Sequence, residues 1–434
     1  MKINYIFVGT NFVRTIRERL LQINYTMLKN NLLLCGVLAF TGNAFSQKPT
    51  LSKNELAGQR NVITTAVPFL NITPDSRSAG MGDAGVARDA DANSIHWNMA
   101  SMAFIDKKAG MALNAAPWLR QLVPDVWFYH LAGYSKIGSR NQSVVSGSIR
   151  YFSLGEIQFT DESGNSNGNA TPYEMAIDVG YATQLSEKFS LGGAMRFVNS
   201  CLTCGSTGTI GSQFKPGRAL AGDIGVYYKK PIKIAAKDVK WALGATITNI
   251  GNKVTYSTSA EKDFIPTNLR LGTGFGIKLD DHNELNFNFD INKLLVPTYP
   301  VYFQKAQGGD SIDSDGKKVV QYGKENKDVP VISGMFQSFG DAPGGFKEEL
   351  KEYIIATGIE YWYDKQFAVR VGYFNESDSK GGRKYATFGI GLRYNVFGID
   401  AAYLQPFAQR HPLQQTIRFS LLFDIDAFKK QETK

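Results

Sequence analysis

PFLNITPDSRSAGMGDAGVARDADANSIHWNMASMAF, residues 68–104, is the one long stretch ahead of the C-terminal half that does not read as a strand. It is small, polar and rich in turn residues. Gly80, Gly82 and Gly85, with Ala79, Ala84 and Ala87, allow close backbone approach. Asp75, Arg77, Asp83, Arg88, Asp89 and Asp91 cannot be buried without partners. A shell with a polar interior satisfies both demands. A transmembrane β-barrel whose lumen is filled by this segment is such a shell. The stretch is therefore expected to be the heart of an N-terminal plug covering residues 47–108, with Asp75, Arg77, Gly80, Gly82, Asp83, Gly85 and Asn98 as its plug residues.

The rest of the chain reads as all-β. From Ala109 the sequence alternates with period two: Tyr173, Met175, Ile177, Val179 and Tyr181 take turns with Glu174, Ala176, Asp178, Gly180 and Ala182. Leu285, Phe287, Phe289 and Ile291 alternate with Asn286, Asn288, Asp290 and Asn292, and similar runs begin at Val239, Phe367 and Ile417. Period two puts the large apolar side chains on one face. In a membrane barrel that face meets lipid and the small or polar face lines the lumen. About fourteen antiparallel segments of this kind occupy residues 109–428, many near ten residues long, which suits a bilayer better than a soluble sandwich.

The connections alternate too. GSRNQ, QLSE, LDDH, YDK and a turn near Asn395 are tight, with KKPIKIAAKD somewhat longer. TDESGNSNGNATP, CLTCGSTGTIGSQFKPG, GNKVTYSTSAEKDFIP, LQPFAQRHPLQQ and a stretch of roughly 60 residues from Lys293 to Lys351 are long. Short turns at one end and long loops at the other are the habit of outer-membrane barrels. An even strand count then predicts periplasmic termini, a periplasmic position for residues 68–104, and external long loops. Gln415 to Phe428 reads as a closing aromatic strand, followed by the tail 429–434.

Residues 1–46 read as an extension plus signal peptide. Met27-Leu28-Lys29 opens a short basic region and Leu32–Phe40 is an apolar run too short to span a membrane. Small residues at Ala44 and Ser46 place cleavage before Gln47, and Cys35 belongs to the apolar core of the leader. Beyond it there is no run of about 18 apolar residues. The 43 glycines, 12 % aromatic content and mean hydropathy of −0.21 fit many short strands joined by turns. A formal charge of +9 is scattered along the chain and partly carried by the leader, which argues against a nucleic-acid partner.

Motifs for chemistry are weak. Gly80-Met81-Gly82-Asp83-Ala84-Gly85 matches G-x-G-x-x-G but comes after no strand and sits in no βαβ unit, so close backbone packing is its reading and no nucleotide cofactor is expected. Ser311, Asp313, Asp315 and Gly316 imitate the start of a calcium loop, yet Tyr322 stands where a bidentate Glu is needed. Cys201 and Cys204 form either a local disulfide or two free thiols, and with four scattered histidines no metal site is expected. No nucleophile or carboxylate pair has a catalytic context. The chain is expected not to be an enzyme.

Several longer matches, in order, are more specific. AVPFLNITPDSRSAGMGDAGVA from Ala66, DANSIHWNMASMAFI from Asp91, PWLRQLVPD from Pro117, RYFSLGEI from Arg150, ITNIGNKVTY from Ile247, FIPTNLRLG from Phe264 and FDINKLLVPTYP from Phe289 resemble the PorV family, outer-membrane proteins of the type IX secretion system of Bacteroidota within the wider group of FadL-like barrels. Where FadL-like chains usually have Asn-Pro-Ala, this one has Asn98-Met99-Ala100, and Asn98 is left to form an Asx-type turn. The resemblance implies a non-enzymatic carrier in outer-membrane lipid. It would associate with a giant translocon barrel (SprA/Sov-like), bind the C-terminal signal domains of cargo, and deliver them to a sortase-like attachment complex (PorU-like). Candidate docking residues in the long loops are Trp118, Leu119 and Leu122; Phe264, Ile265 and Pro266; and Leu294, Leu295, Val296, Pro297 and Tyr299. The alternatives are a FadL-like channel for hydrophobic small molecules, which the polar lumen face of Asn286, Asn288, Asp290 and Asn292 disfavours, and a lipopolysaccharide-modifying protein.

Overall fold

Fourteen of the alternating runs become strands of one closed antiparallel barrel. The computed structural model describes residues 59–425, apart from 121, 139–141, 161–165, 206–213, 235–236, 258–260, 306–308 and 327. The leader, its cleavage point, residues 47–58 and the tail 429–434 lie outside the described residues. The barrel strands are β1 (Ala109–Pro117), β2 (Trp127–Ile137), β3 (Ser143–Ser153), β4 (Tyr173–Gln184), β5 (Phe189–Cys201), β6 (Gly217–Ile234) and β7 (Lys237–Gly251). They continue as β8 (Asn268–Lys278), β9 (Asn283–Leu294), β10 (Tyr353–Tyr363), β11 (Phe367–Asn375), β12 (Lys384–Tyr394), β13 (Phe397–Pro406) and β14 (Thr416–Asp424). Each pairs with its neighbours in sequence, and β1 closes on β14 in the register Leu113↔Leu421. Closure leaves no free sheet edge, the condition for a sheet to cross lipid.

Alternation then sorts the side chains as read. Ile177, Val179, Tyr181, Phe287, Ile359, Val371 and Ile390 stand exposed on the outer surface, between 39 % and 61 % accessible. Between them Asp178, Asn288, Glu360 and Arg370 point inward and are buried. Such an apolar outer belt around a polar interior is a membrane barrel. Phe287→Lys, in the middle of β9, is expected to destabilise the barrel by about 2–4 kcal/mol, and Phe367→Lys, at the start of β11, by about 0–1 kcal/mol. Reversible unfolding from liposomes measures both, and equal losses would contradict the depth assignment. Asn288 is no neutral control, because its amide rests on the sulfur of Met81.

Loop lengths also alternate as expected, with one correction. KKPIKIAAKD is not a longer turn: β6 runs to Ile234 and β7 restarts at Lys237, paired in register Ile234↔Lys237. The polar, charged residues there extend the hairpin beyond Tyr228, the last residue of β6 paired to β5. The approach to β1 is less simple than strand parity suggests. β1 and β14 do meet at the turn end, where Lys107 pairs with Asp424 at 2.6 Å. Residues 61–66, however, lie among the long loops: Asn61 donates its backbone N–H to Ser379 O at 2.9 Å, Thr64 donates to the Tyr299 hydroxyl at 2.9 Å, and Ala66 N–H donates to Phe264 O at 2.8 Å. Strand parity fixes where β1 begins. It does not fix the path of the residues ahead of β1, and about 40 residues are enough to traverse the barrel.

Candidate functional site

Inside the barrel, residues 66–105 are almost wholly buried and form only short helical turns, Pro68–Asn71, Ser76–Ala79, Ser94–Trp97 and Met99–Phe104. So irregular a backbone must find hydrogen-bond partners elsewhere. The inward faces of the strands supply them. Gly82 N–H donates to Thr387 Oγ1 at 2.8 Å, Gly85 and Val86 N–H donate to Asp290 at 2.6 and 3.0 Å, and Ser76 N–H donates to Ser420 Oγ at 2.9 Å. The glycines permit this approach: at Gly82, with φ +68°, a Cβ would lie 2.5 Å from the backbone of Tyr373. Gly80 sits against Gly389 of β12 in the same way. Gly85 instead makes room for the ring of Trp97, within the segment itself.

Charge is handled by pairing. Asp75, fully buried, accepts from Ser78 N–H at 2.9 Å and Trp97 Nε1 at 2.7 Å and faces Arg88 at 3.5 Å. Arg77 makes a two-pronged contact with Glu360 of β10, at 2.9 and 2.7 Å. Glu360 also holds Arg370 at 2.6 Å, and Arg370 reaches Asp400 at 2.9 Å. Asp83 is met by Arg418 at 3.2 Å and by the Tyr385 hydroxyl at 2.5 Å. Asn98 forms the Asx turn, its Oδ1 accepting from Ala100 N–H at 3.1 Å while its amide donates to Val226 O at 3.0 Å. All seven residues singled out between 75 and 98 are thus brought into one packed interior.

A second network has no counterpart in the sequence reading. Asp178 of β4 is shared by Arg150 of β3 and Arg196 of β5, and Arg196 continues to Asp223 at 2.8 Å. Arg150 also donates to Leu70 O at 3.1 Å, tying this wall to the segment. The available signal is a charge in the inward register of an alternating run, as in Ile149-Arg150-Tyr151 and Val369-Arg370-Val371. At the turn end a cavity of about 360 Å³ is lined by Arg77, Asp91, Asn286, Trp362 and Arg393 among others, a charged vestibule.

The loop end departs from the sequence reading in its exposed residues. Leu119, Phe264, Ile265, Leu295 and Val296 are at most 9 % accessible, and Pro266 and Pro297 are buried with them. Trp118 and Leu294 are half-buried, whereas Leu122 and Tyr299 are exposed. Apolar residues beside proline form small cores under the loops, and the surface is offered by Phe303, Phe407 and the region 332–350. Cys201 and Cys204 are joined in a disulfide. Asp313 spends its carboxylate on the N–H groups of Asp315 and Lys317.

A buried ionic cluster joins the end of β9, the connection from β9 to β10 and the loop between β11 and β12. Lys293 pairs with Glu352 at 2.5 Å and Glu349 at 3.4 Å, and Lys380 with Glu348 at 2.6 Å and Glu352 at 2.9 Å. Beside it Asp341 accepts from Thr298 N–H at 3.1 Å. Burial, and then the nearby Glu349, push the Asp341 carboxyl up to about 7. A carboxyl raised in the folded state favours folding at acid pH and loses that contribution as pH rises through its folded value. Loop stability is therefore expected to fall between about pH 4 and pH 7. Asp341→Asn should flatten that slope in hydrogen exchange of residues 331–352; an unchanged slope would contradict the assignment.

The family model described as "Type IX secretion system protein PorV" matches residues 55–301, more than half of the chain. No curated protein sequence matches. Among solved structures, the Pseudomonas putida toluene transporter TodX is similar at 11 % identity and TM-score 0.43, over 80 % of this chain and 95 % of that one. The Ralstonia pickettii toluene transporter TbuX gives 11 %, 0.41, 80 % and 97 %, and a Pseudomonas aeruginosa FadL homologue 12 %, 0.40, 84 % and 99 %.

Proposed function

The chain belongs to the PorV family of type IX secretion system proteins, and from that premise we propose that this outer-membrane component is a non-catalytic carrier rather than a pore. In this reading residues 66–105 plug the lumen. The long loops face outward, receive the C-terminal signal domain of cargo leaving the translocon barrel, and present it to the sortase-like attachment complex. The observation that carries the reading is the interior itself. Arg77, Asp83 and the peptide N–H groups of Gly82, Gly85 and Val86 are bonded to Glu360, Arg418, Thr387 and Asp290 on the wall. Where the segment is not held by charge pairs it packs tightly on the wall, as Met99 and Met102 do on Ala132, Val144 and Ala182, so an acyl chain finds no open apolar path. Binding then falls to the loop end, where Leu122, Tyr299, Phe303 and Phe407 are exposed.

Affinity purification from detergent-solubilised outer membranes tests this. Co-elution of a very large barrel together with cargo signal domains is the expected result. A chain that elutes without either, carrying bound fatty acid, would support a channel for hydrophobic small molecules instead.

A further inference from the structure

Among the residues that no strand absorbs, one group of large apolar side chains lies in the connection between β9 and β10. Ile332, Phe336, Phe339, Phe346 and Leu350 are 56 %, 75 %, 47 %, 75 % and 55 % accessible. Those values match or exceed the exposure of lipid-facing Leu271 and Ile355 on the adjoining strands, at 47 % and 37 %. The opposite side of the same segment is seated. Met335 and Ala342 are buried, and Gly334 fits so closely on Phe264 and Pro297 that a Cβ would come within 2.9 and 3.1 Å of them. The segment Val331–Glu352 is thus two-faced, with its apolar face turned away from the protein.

Its position on the barrel says what that face meets. Lys293 comes after Phe287, Phe289 and Ile291 in the outward register of β9, yet is only 1 % accessible. Its neighbours across the sheet are Leu269 and Tyr353. Covering it are Glu349, Glu352 and the rings of Tyr353 and Phe339, whose centroids lie 5.3 and 5.7 Å from Nζ. Phe339 therefore lies against the outer wall at the rim. Leu271 and Ile355 are each two residues along their strands from Leu269 and Tyr353, about 7 Å further into the belt. The apolar face of the segment continues the lipid-facing belt.

We infer that Val331–Glu352 is an interfacial anchor, lying on the outer wall of β8–β10 with Ile332, Phe336, Phe339, Phe346 and Leu350 in the acyl chains of the adjoining leaflet. The buried pairs of Lys293 and Lys380 with Glu348, Glu349 and Glu352 fasten its polar side to the rim. Amphipathic segments with Phe and Leu on one face settle at the headgroup–acyl boundary in this way. The inference rests on the barrel's being in a membrane, but not on the carrier role.

Spin labels on Phe336→Cys and Phe346→Cys, in a Cys35→Ser background with Cys201 and Cys204 left in their disulfide, test it in phosphatidylcholine nanodiscs. Leu271→Cys serves as lipid reference and Asp315→Cys as water reference. The expected result is relaxation dominated by dissolved oxygen at both sites, with the oxygen-to-nickel-chelate ratio of the Leu271 label. A ratio like that at Asp315 would overturn the inference, and so would exclusion of both reagents, which would mean that protein covers the face. Failure of the Leu271 reference itself would instead refute the membrane assignment of the barrel.

Discussion

Deleting residues 68–104 is expected to leave a barrel that assembles poorly or conducts ions freely. The deletion removes the partners of Thr387, Asp290, Arg418 and Ser420 together, and the Arg77 half of the pairing at Glu360, groups contributed by β9, β10, β12 and β14. Each buried polar group left without a partner costs about 1–3 kcal/mol unless water enters. Water entry relieves that cost and makes a path for ions at the same time. Single-channel recording in planar bilayers, with heat-modifiable migration as the assay of assembly, reads both effects. A deletion variant that assembles normally and stays electrically silent would show that these residues do not seal the lumen.

Glu360→Gln is the sharpest single change. Its carboxylate is inaccessible to solvent and holds Arg77 on the segment and Arg370 on β11, while Arg370 in turn meets Asp400. Glutamine keeps the shape and removes the charge, so two buried guanidinium groups share one fewer counter-ion. Removing one member of a buried ion pair typically costs about 3–5 kcal/mol. The variant should therefore lose about that much in urea unfolding from liposomes. Asp281→Asn, in an exposed pair with Lys278, should change nothing measurable. Equal stability of the two variants would remove Glu360 from the set of groups that hold segment to wall.

Legibility in the sequence depends on which interactions are local. Strand positions are legible, because period two is written into each run and lipid and lumen reward opposite residue types. The buried role of residues 68–104 is too: a segment with Asp75, Arg77 and Asp83 among closely spaced glycines needs a polar enclosure. Which wall residue answers which charge is not. Arg77 and Glu360 lie far apart in sequence, and only closure of the barrel brings them together. The loops mislead for a different reason. Ile265, Leu295 and Val296 beside prolines read as surface held ready for a partner, but loops of this length build their own small cores, and those residues fill them. Phe336 and Phe346 carry no sequence signal because the connection from β9 to β10 has no period from which inside and outside can be read.

The claim that cargo is received at the loop end is tested most directly by site-specific photocrosslinking in cells that secrete type IX cargo. Benzoylphenylalanine in place of Tyr299 or Leu122, both exposed among the long loops, should give adducts containing the cargo's C-terminal signal domain, whereas the same group in place of Lys188, in the tight turn between β4 and β5, should give none. Adducts from Lys188 alone, or none from Tyr299 and Leu122 in a chain that still supports secretion, would contradict it.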